Sequence, residues 1–324
     1  MSRTAPASGE AGSGLLRLPS RVLVVAGPTA SGKSELAIVL AEALGGEIVG
    51  ADSRQVFRYM DVGTAKPTAD QRRRAAHHLI DVVDPDAAWD VAAWRNAALA
   101  SLAGIHARGR VAVVCGGTGL YLRSLAQGLF PGPPADPAVR TRLEADELAN
   151  PGSAHARLGD VDPATARRVH SNDLVRTIRA LEVFETTGRP LSAWLAEHGL
   201  ADRPFQTLTL EVDIERDELR ERIGERSRRM VDDGIVDELA SLYARGYGPA
   251  TRAFDAIGYR QAALCLEGKL ARSDLADAIA LATVQYAKRQ RTWLRGQMKT
   301  VKVPASIASQ RTGKAVDLAR AFFS

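Results

Sequence analysis

Residues 21–26 read Arg-Val-Leu-Val-Val-Ala and run straight into Gly27, Pro28, Thr29, Ala30, Ser31, Gly32, Lys33 and Ser34. An apolar strand followed by G-x-x-x-x-G-K-[ST] is the pattern of a phosphate-cradling P-loop. No other feature of the chain limits its fold as tightly. The glycines permit a tight turn whose backbone N–H groups converge on phosphate oxygens, Lys33 adds a point charge, and the Ser34 hydroxyl can meet Mg²⁺. A helix must follow at once, because its positive end faces the same anion. Leu36, Ala37, Leu40, Ala43 and Leu44 supply the period, and Gly45-Gly46 stop it.

The expected fold is therefore α/β: a P-loop NTPase-like parallel sheet flanked by helices. Four β-branched runs, at 21–26, 47–51, 110–115 and 207–212, read as its strands. The first three alternate with helical patterns, as a doubly wound sheet requires. Ligands of such sheets sit beyond the carboxyl ends of the strands. Those ends carry the P-loop, Asp52-Ser53 and Gly116-Gly117-Thr118-Gly119, so three loops suited to a ligand face one crevice.

Between the third and fourth strands, residues 129–203 read as helices with little strand signal, which predicts a helical insertion. Residues 21–128 form the first part of the core, and 204–324 form its return with C-terminal helices. Leu219, Ile223, Met230, Ile235, Leu239 and Leu242 make an apolar stripe there, and a last helix spans about 274–295. Residues 1–20, rich in Ser, Gly, Ala and Pro and without an apolar signal segment, read as a disordered extension.

With 324 residues and an apolar fraction of 45%, the chain can bury a sizeable core. Cys115 and Cys265 lie in apolar stretches without metal-ligand spacing and read as buried thiols of a reducing compartment, hence cytoplasmic. No run approaches a membrane span. The net charge is +5, and its distribution says more than its sum. From 278 to 316 there is no acidic residue, while Lys288, Arg289, Arg291, Arg295, Lys299, Lys302, Arg311 and Lys314 all fall there. A stretch of one sign points to a nucleic-acid partner.

Asp52 ends the second strand opposite the P-loop, where it could ligate a metal or serve as a general base. The third strand ends without the carboxylate of a Walker B motif, which argues against an ATPase motor. Thr118 instead places a hydroxyl near the ligand. In the last helix Lys288, Arg289, Gln290, Arg291, Thr292, Trp293, Leu294 and Arg295 interleave cations with an aromatic side chain that either stacks on a base or anchors the helix.

Taken in order, these segments resemble the tRNA dimethylallyltransferases. The likeness rests on residues 27–34, Asp52-Ser53-Arg54-Gln55, Met60 to Pro67, His77 to Asp81, Gly116 to Tyr121, Asn172-Asp173, Arg179 to Glu182, Ile257 to Gln261 and Ala287 to Arg295. It implies an enzyme that moves a dimethylallyl group from dimethylallyl diphosphate to N6 of adenosine 37 in the tRNA anticodon loop. The P-loop would hold the diphosphate, with Mg²⁺ near Ser34. Asp52 would be the general base, Thr118 would contact the bridging oxygen, and Arg140 would stabilise the departing diphosphate. RNA contacts would come from Asp52, Ser53, Arg54 and Gln55, from Val175, Arg176, Thr177, Ile178 and Arg179, from Tyr259 and Arg260, and from residues 288–295. The target base must leave its stack to reach Asp52.

The chain departs from the family pattern at Phe57, Leu174 and Val284, none of them at the expected chemistry. A monomer is expected. Three other readings compete: a small-molecule kinase using ATP, an RNA-binding protein with a regulatory nucleotide site, and prenyl transfer to free adenine nucleotides. The basic stretch disfavours the first, the pairing of Asp52 with Thr118 the second, and the large insertion the third.

Overall fold

The computed structural model describes residues 18–130, 132–199, 204–305 and 309–324. Most of the expected extension, up to residue 17, lies outside the described residues. The chain divides into two compact units, one made of residues up to 126 with those from 204 onward, the other of residues 127–203.

In the larger unit six strands form one parallel sheet. They are β1 (Arg21–Ala26), β2 (Gly46–Ala51), β3 (His77–His78), β4 (Val111–Gly116), β5 (Gln206–Asp213) and β6 (Val301–Pro304), in the order β3-β2-β4-β1-β5-β6. The four expected strands are present, with β4 displaced by one residue. The sheet gains an edge strand on each side. β3 is only two polar residues long and β6 four, too short for an alternation to show in sequence.

β1 explains the layering. It pairs with β4 on one side and β5 on the other, so both faces are buried, and successive side chains go to opposite layers. Leu23 and Val25 join one core with Leu36, Leu40 and Ile223. Val22 and Val24 join another with Trp94, Leu102 and Leu122. Each fully buried Val or Leu contributes about 1.5–3 kcal/mol. The first layer includes α1 (Lys33–Leu44), and the second includes α3 (Val91–Ala107) and α4 (Gly119–Gln127). A short α2 (Ala69–Arg74) precedes β3 and is set by a capping box between Thr68 and Gln71.

The smaller unit holds α5 (Pro137–Ala149), α6 (Ser153–Val161), α7 (Pro163–Ala166), α8 (Leu174–Thr187) and α9 (Leu191–His198), with no strand among its described residues. Leu143, Leu158, Ile178 and Leu181 form its own core. Asp173 caps the start of α8, and Gly188, at φ 69°, ends it.

After β5 come α10 (Arg216–Asp232), α11 (Ile235–Ala244), α12 (Tyr259–Leu266), α13 (Leu275–Gln297) and α14 (Ser309–Phe323). The expected single stripe from Leu219 to Leu242 is split between α10 and α11, because Gly234 adopts φ 86°. Met230, Leu239, Phe254, Tyr259 and Ile279 close a third core in the larger unit.

Candidate active site

The P-loop turns where the sequence demands it. Gly32 has φ 89° and caps α1, and Ala30 also sits in the left-handed region at φ 63°. Lys33 reaches back over the loop and donates from Nζ to the Pro28 carbonyl at 3.3 Å. Ser31 is fully buried, and its Oγ has no hydrogen-bond partner among the described residues. A buried hydroxyl without a partner costs about 1–3 kcal/mol unless a ligand satisfies it. The α1 N-terminus adds a favourable field for an anion.

β2 and β4 bring the other two loops to the same edge. Asp52 Oδ1 accepts from the backbone N–H groups of Arg54 and Gln55, at 2.8 and 3.3 Å. Both bonds fall on one oxygen, so Oδ2 is the oxygen that remains for a proton. Thr118 Oγ1 accepts from Ser53 N–H at 3.2 Å, and Thr118 N–H donates to the Ala51 carbonyl at 3.3 Å. Gly116 permits this approach: a Cβ there would lie 2.1 Å from the Ala51 carbonyl oxygen. Asp52, Thr118 and the P-loop, expected together, are brought together.

Two arginines that sequence reasoning missed complete the cradle. Both lie on α10, one helical turn apart. Arg226 donates from Nη1 to the Thr29 hydroxyl at 3.3 Å, and Arg222 from Nη1 to the Ser31 carbonyl at 3.4 Å. Their neighbours Leu219, Ile223 and Met230 form the buried stripe of α10, so the cations sit at its border. That border position was the available signal in the sequence.

Two cavities open on these loops. The smaller, of about 60 Å³, is lined by Lys33, Ser34, Gln55, His77 and Cys115. The larger, of about 320 Å³, is lined by Arg54, Met230, Ile257, Tyr286 and Arg289 among others. Thr29, Asp52 and Arg226 line both. Cys115 is therefore half-buried at a cavity wall rather than sealed in the core as expected, and Cys265 is half-buried too.

Charge is concentrated where solvent is scarce. Burial lowers the pKa of Lys33, the Asp52 carboxylate opposes the shift, and Arg226 adds to it. Burial lowers Arg226 in the same way, opposed by Asp52. Burial also pushes the Cys115 thiol up to about 11, so it is neutral near pH 7. Two cations held without a full complement of anions form a site prepared for a polyanion.

The loop around residues 60–66 is fastened from α11 and α12. Glu238 Oε2 accepts from the N–H groups of Asp61 and Val62, each at 2.9 Å, and Oε1 from the Tyr259 hydroxyl at 2.5 Å. That loop returns carbonyls of Thr64 and Ala65 to Gln55 Nε2, each at 3.1 Å. Tyr259 is consequently buried, while Arg260 is exposed and pairs with Asp255 at 3.8 Å.

In the smaller unit Arg140 donates to Glu182 from Nε and Nη2 at 2.8 and 2.9 Å, and Arg179 from Nη1 at 2.5 Å. Burial raises the Glu182 carboxyl, but the two arginines and the Asp136 N–H outweigh it, and its pKa falls below the usual range. In the same helix Val175 and Arg176 are exposed, whereas Thr177 and Ile178 are buried. On α13 the exposed members of the basic run are Lys288, Arg289, Thr292 and Arg295, with Arg291 half-buried. Gln290 and Leu294 point into the interior, and Trp293 packs where a Cβ on Gly119 would lie 2.3 Å from its ring. Val284 packs against the first core, which explains an apolar residue there.

A family profile described as IPP transferase matches residues 55–297. A tRNA dimethylallyltransferase of Geobacter sulfurreducens is 46% identical over 296 residues, covering 90% of this chain and 95% of that one. One of Sorangium cellulosum is 52% identical over 280 residues, covering 86% and 89%. Among solved structures, a full-length tRNA isopentenylpyrophosphate transferase of Bacillus halodurans superposes with a TM-score of 0.70 at 32% identity, covering 94% of this chain and 97% of its own. A eukaryotic dimethylallyltransferase acting on tRNA gives a TM-score of 0.79 at 27% identity, covering 94% and 80%. With a profile match over residues 55–297 and relatives 46% and 52% identical over most of its length, the chain belongs to the IPP transferase family.

Proposed function

We propose that this chain transfers a dimethylallyl group from dimethylallyl diphosphate to N6 of adenosine 37 in the tRNA anticodon loop, releasing diphosphate. The observation that carries the reading is Asp52, which lines both the cavity at Lys33 and Ser34 and the larger one beside it. The relatives' names support it, and none of those relatives supports the kinase alternative.

The diphosphate lies against the P-loop N–H groups, Lys33, Arg226 and the unpartnered Ser31 hydroxyl. The adenine enters the larger cavity. Its N6 attacks C1 of the prenyl group, the N–C bond forms as the C–O bond breaks, and the electron pair of that bond leaves with diphosphate. An exocyclic amine with a delocalised lone pair is a poor nucleophile, so positioning and proton removal share the task. Asp52 takes the N6 proton on Oδ2, while its Oδ1 stays bound to the Arg54 and Gln55 N–H groups. Thr118 contacts the bridging oxygen as charge grows there.

The residues present fit Mg²⁺. Ser34 offers an exposed hydroxyl in the first turn of α1, and among the described residues no cluster of three His, Cys, Asp or Glu could hold the ion without the diphosphate. Ser34 would hold the ion, which would supply positive charge to neutralise the leaving group. RNA contacts come from Ser53, Arg54, Val175, Arg176, Arg260 and the exposed side chains of α13. The chain acts as a monomer in the cytoplasm. No described helix is long and apolar enough to cross a membrane.

The test is nucleoside analysis of a tRNA incubated with protein, Mg²⁺ and dimethylallyl diphosphate. N6-dimethylallyladenosine should appear, and a tRNA with guanosine at position 37 should yield none. Product from the guanosine variant would refute the position.

A further inference from the structure

Gln290 stands in the middle of the basic run of α13, yet its side chain is only 7% exposed. Its Oε1 accepts from Thr29 N–H at 2.8 Å, and its Nε2 donates to the Gly117 carbonyl at 2.9 Å. Thr29 is the third residue of the P-loop, and Gly117 immediately precedes Thr118. One planar amide thus joins the loop after β1 to the loop after β4, across sequence separations of 261 and 173 residues.

The contact suits this side chain alone. A Cβ on Gly117 would lie 2.2 Å from Nε2, so only glycine lets the amide approach. Among side chains of this length, glutamine alone offers an acceptor and a donor in one plane. A carboxylate would set a second acceptor against the Gly117 carbonyl. A thioether would leave both backbone groups without a partner, where burial makes an unmet group costly.

We propose that Gln290 is a positioning residue for the diphosphate. By holding the Thr29 peptide it fixes the start of the turn from which the later P-loop N–H groups, Lys33 and the Ser31 hydroxyl are presented. By holding Gly117 it sets the separation between the P-loop and Thr118. α13 therefore has two roles on two sides: Lys288, Arg289 and Arg295 face outward for RNA, and Gln290 faces inward to brace the anion cradle. The inference rests on the proposed function for the identity of that anion.

The test uses the full chain with inorganic diphosphate and Mg²⁺ in a calorimeter, and unmodified tRNA by fluorescence anisotropy, for the parent, Gln290→Met and Gln290→Glu. Gln290→Met should weaken diphosphate binding about tenfold, the scale of one or two hydrogen bonds, and leave tRNA affinity within about twofold. Gln290→Glu should bind diphosphate more weakly still, because it also adds a negative charge. In turnover the KM for dimethylallyl diphosphate should rise more than kcat falls. Unchanged diphosphate affinity in Gln290→Met overturns the proposal. So does a loss of tRNA affinity alone, which would return Gln290 to the RNA surface. A parallel loss of both affinities with a lowered Tm would also overturn it, since it marks a structural amide. A parent that binds no diphosphate would remove the functional reading itself, and the inference with it.

Discussion

Arg226 Nη1 lies 3.3 Å from the Thr29 hydroxyl, so a helix 197 residues further along the chain delivers a guanidinium to the phosphate loop. Burial disfavours its charge, and Asp52 is the anion that opposes the shift. A bound diphosphate would supply the rest of that compensation. Arg226→Ala should raise the KM for dimethylallyl diphosphate about tenfold to a hundredfold and leave tRNA affinity unchanged. Arg226→Lys should recover only part, because an ammonium cannot reproduce the planar fork. Steady-state kinetics with each substrate varied in turn checks this, and an unchanged KM would free Arg226 of the role.

Asp52→Ala should cut prenyl transfer by about two to four orders of magnitude, the range of general-base removal. tRNA affinity should stay close to that of the parent, because the loss falls on the proton transfer. Single-turnover rates beside an anisotropy titration separate the two. Matching losses in rate and binding would move Asp52 from chemistry to recognition.

Lys288 and Arg295 are exposed on the outer side of α13. Replacing both by Ala should weaken tRNA binding and flatten its dependence on salt, by about one unit of log–log slope for each RNA phosphate left without its cation. Titrations across a range of KCl concentrations give the slope directly. An unchanged slope would mean that these cations do not meet phosphate.

Glu47, 6% exposed at the start of β2, is held to a pKa of about 2, first by its bonds to Arg108 and then by His78 against the cost of burial. A carboxyl lowered from an ordinary 4.5 stabilises the fold fully above that pH, and the contribution disappears as pH falls from 4.5 towards 2. At full strength it amounts to about 3 kcal/mol at most. Glu47→Gln should therefore lower Tm at pH 7 and flatten the fall of Tm between pH 4.5 and 2. Parallel Tm–pH curves for parent and variant would contradict this.

What could be read from the sequence was local. The P-loop, Asp52 and the loop at Gly116 and Gly117 each follow an apolar run whose burial on both faces makes it a strand, and strand ends of a parallel sheet converge whatever the rest of the chain does. Arg222 and Arg226 were hidden because α10 carries arginines on several faces, and only the packing of Ile223 and Met230 selects the pair that meets the loop. Gln290 reads with its basic neighbours in the sequence, yet a residue between two cations faces inward when Ala287 and Leu294 define the buried side. β3 and β6 were not visible because two and four residues carry no period. Their pairing comes from the neighbouring strands.

The most direct measurement of the central claim is the intact mass of unmodified tRNA after incubation with the protein and Mg²⁺, with either dimethylallyl diphosphate or ATP. The account expects a gain of one dimethylallyl group with the isoprenoid and none with ATP. No gain with the isoprenoid, together with consumption of ATP, would contradict it and make Asp52 the base of a phosphoryl transfer.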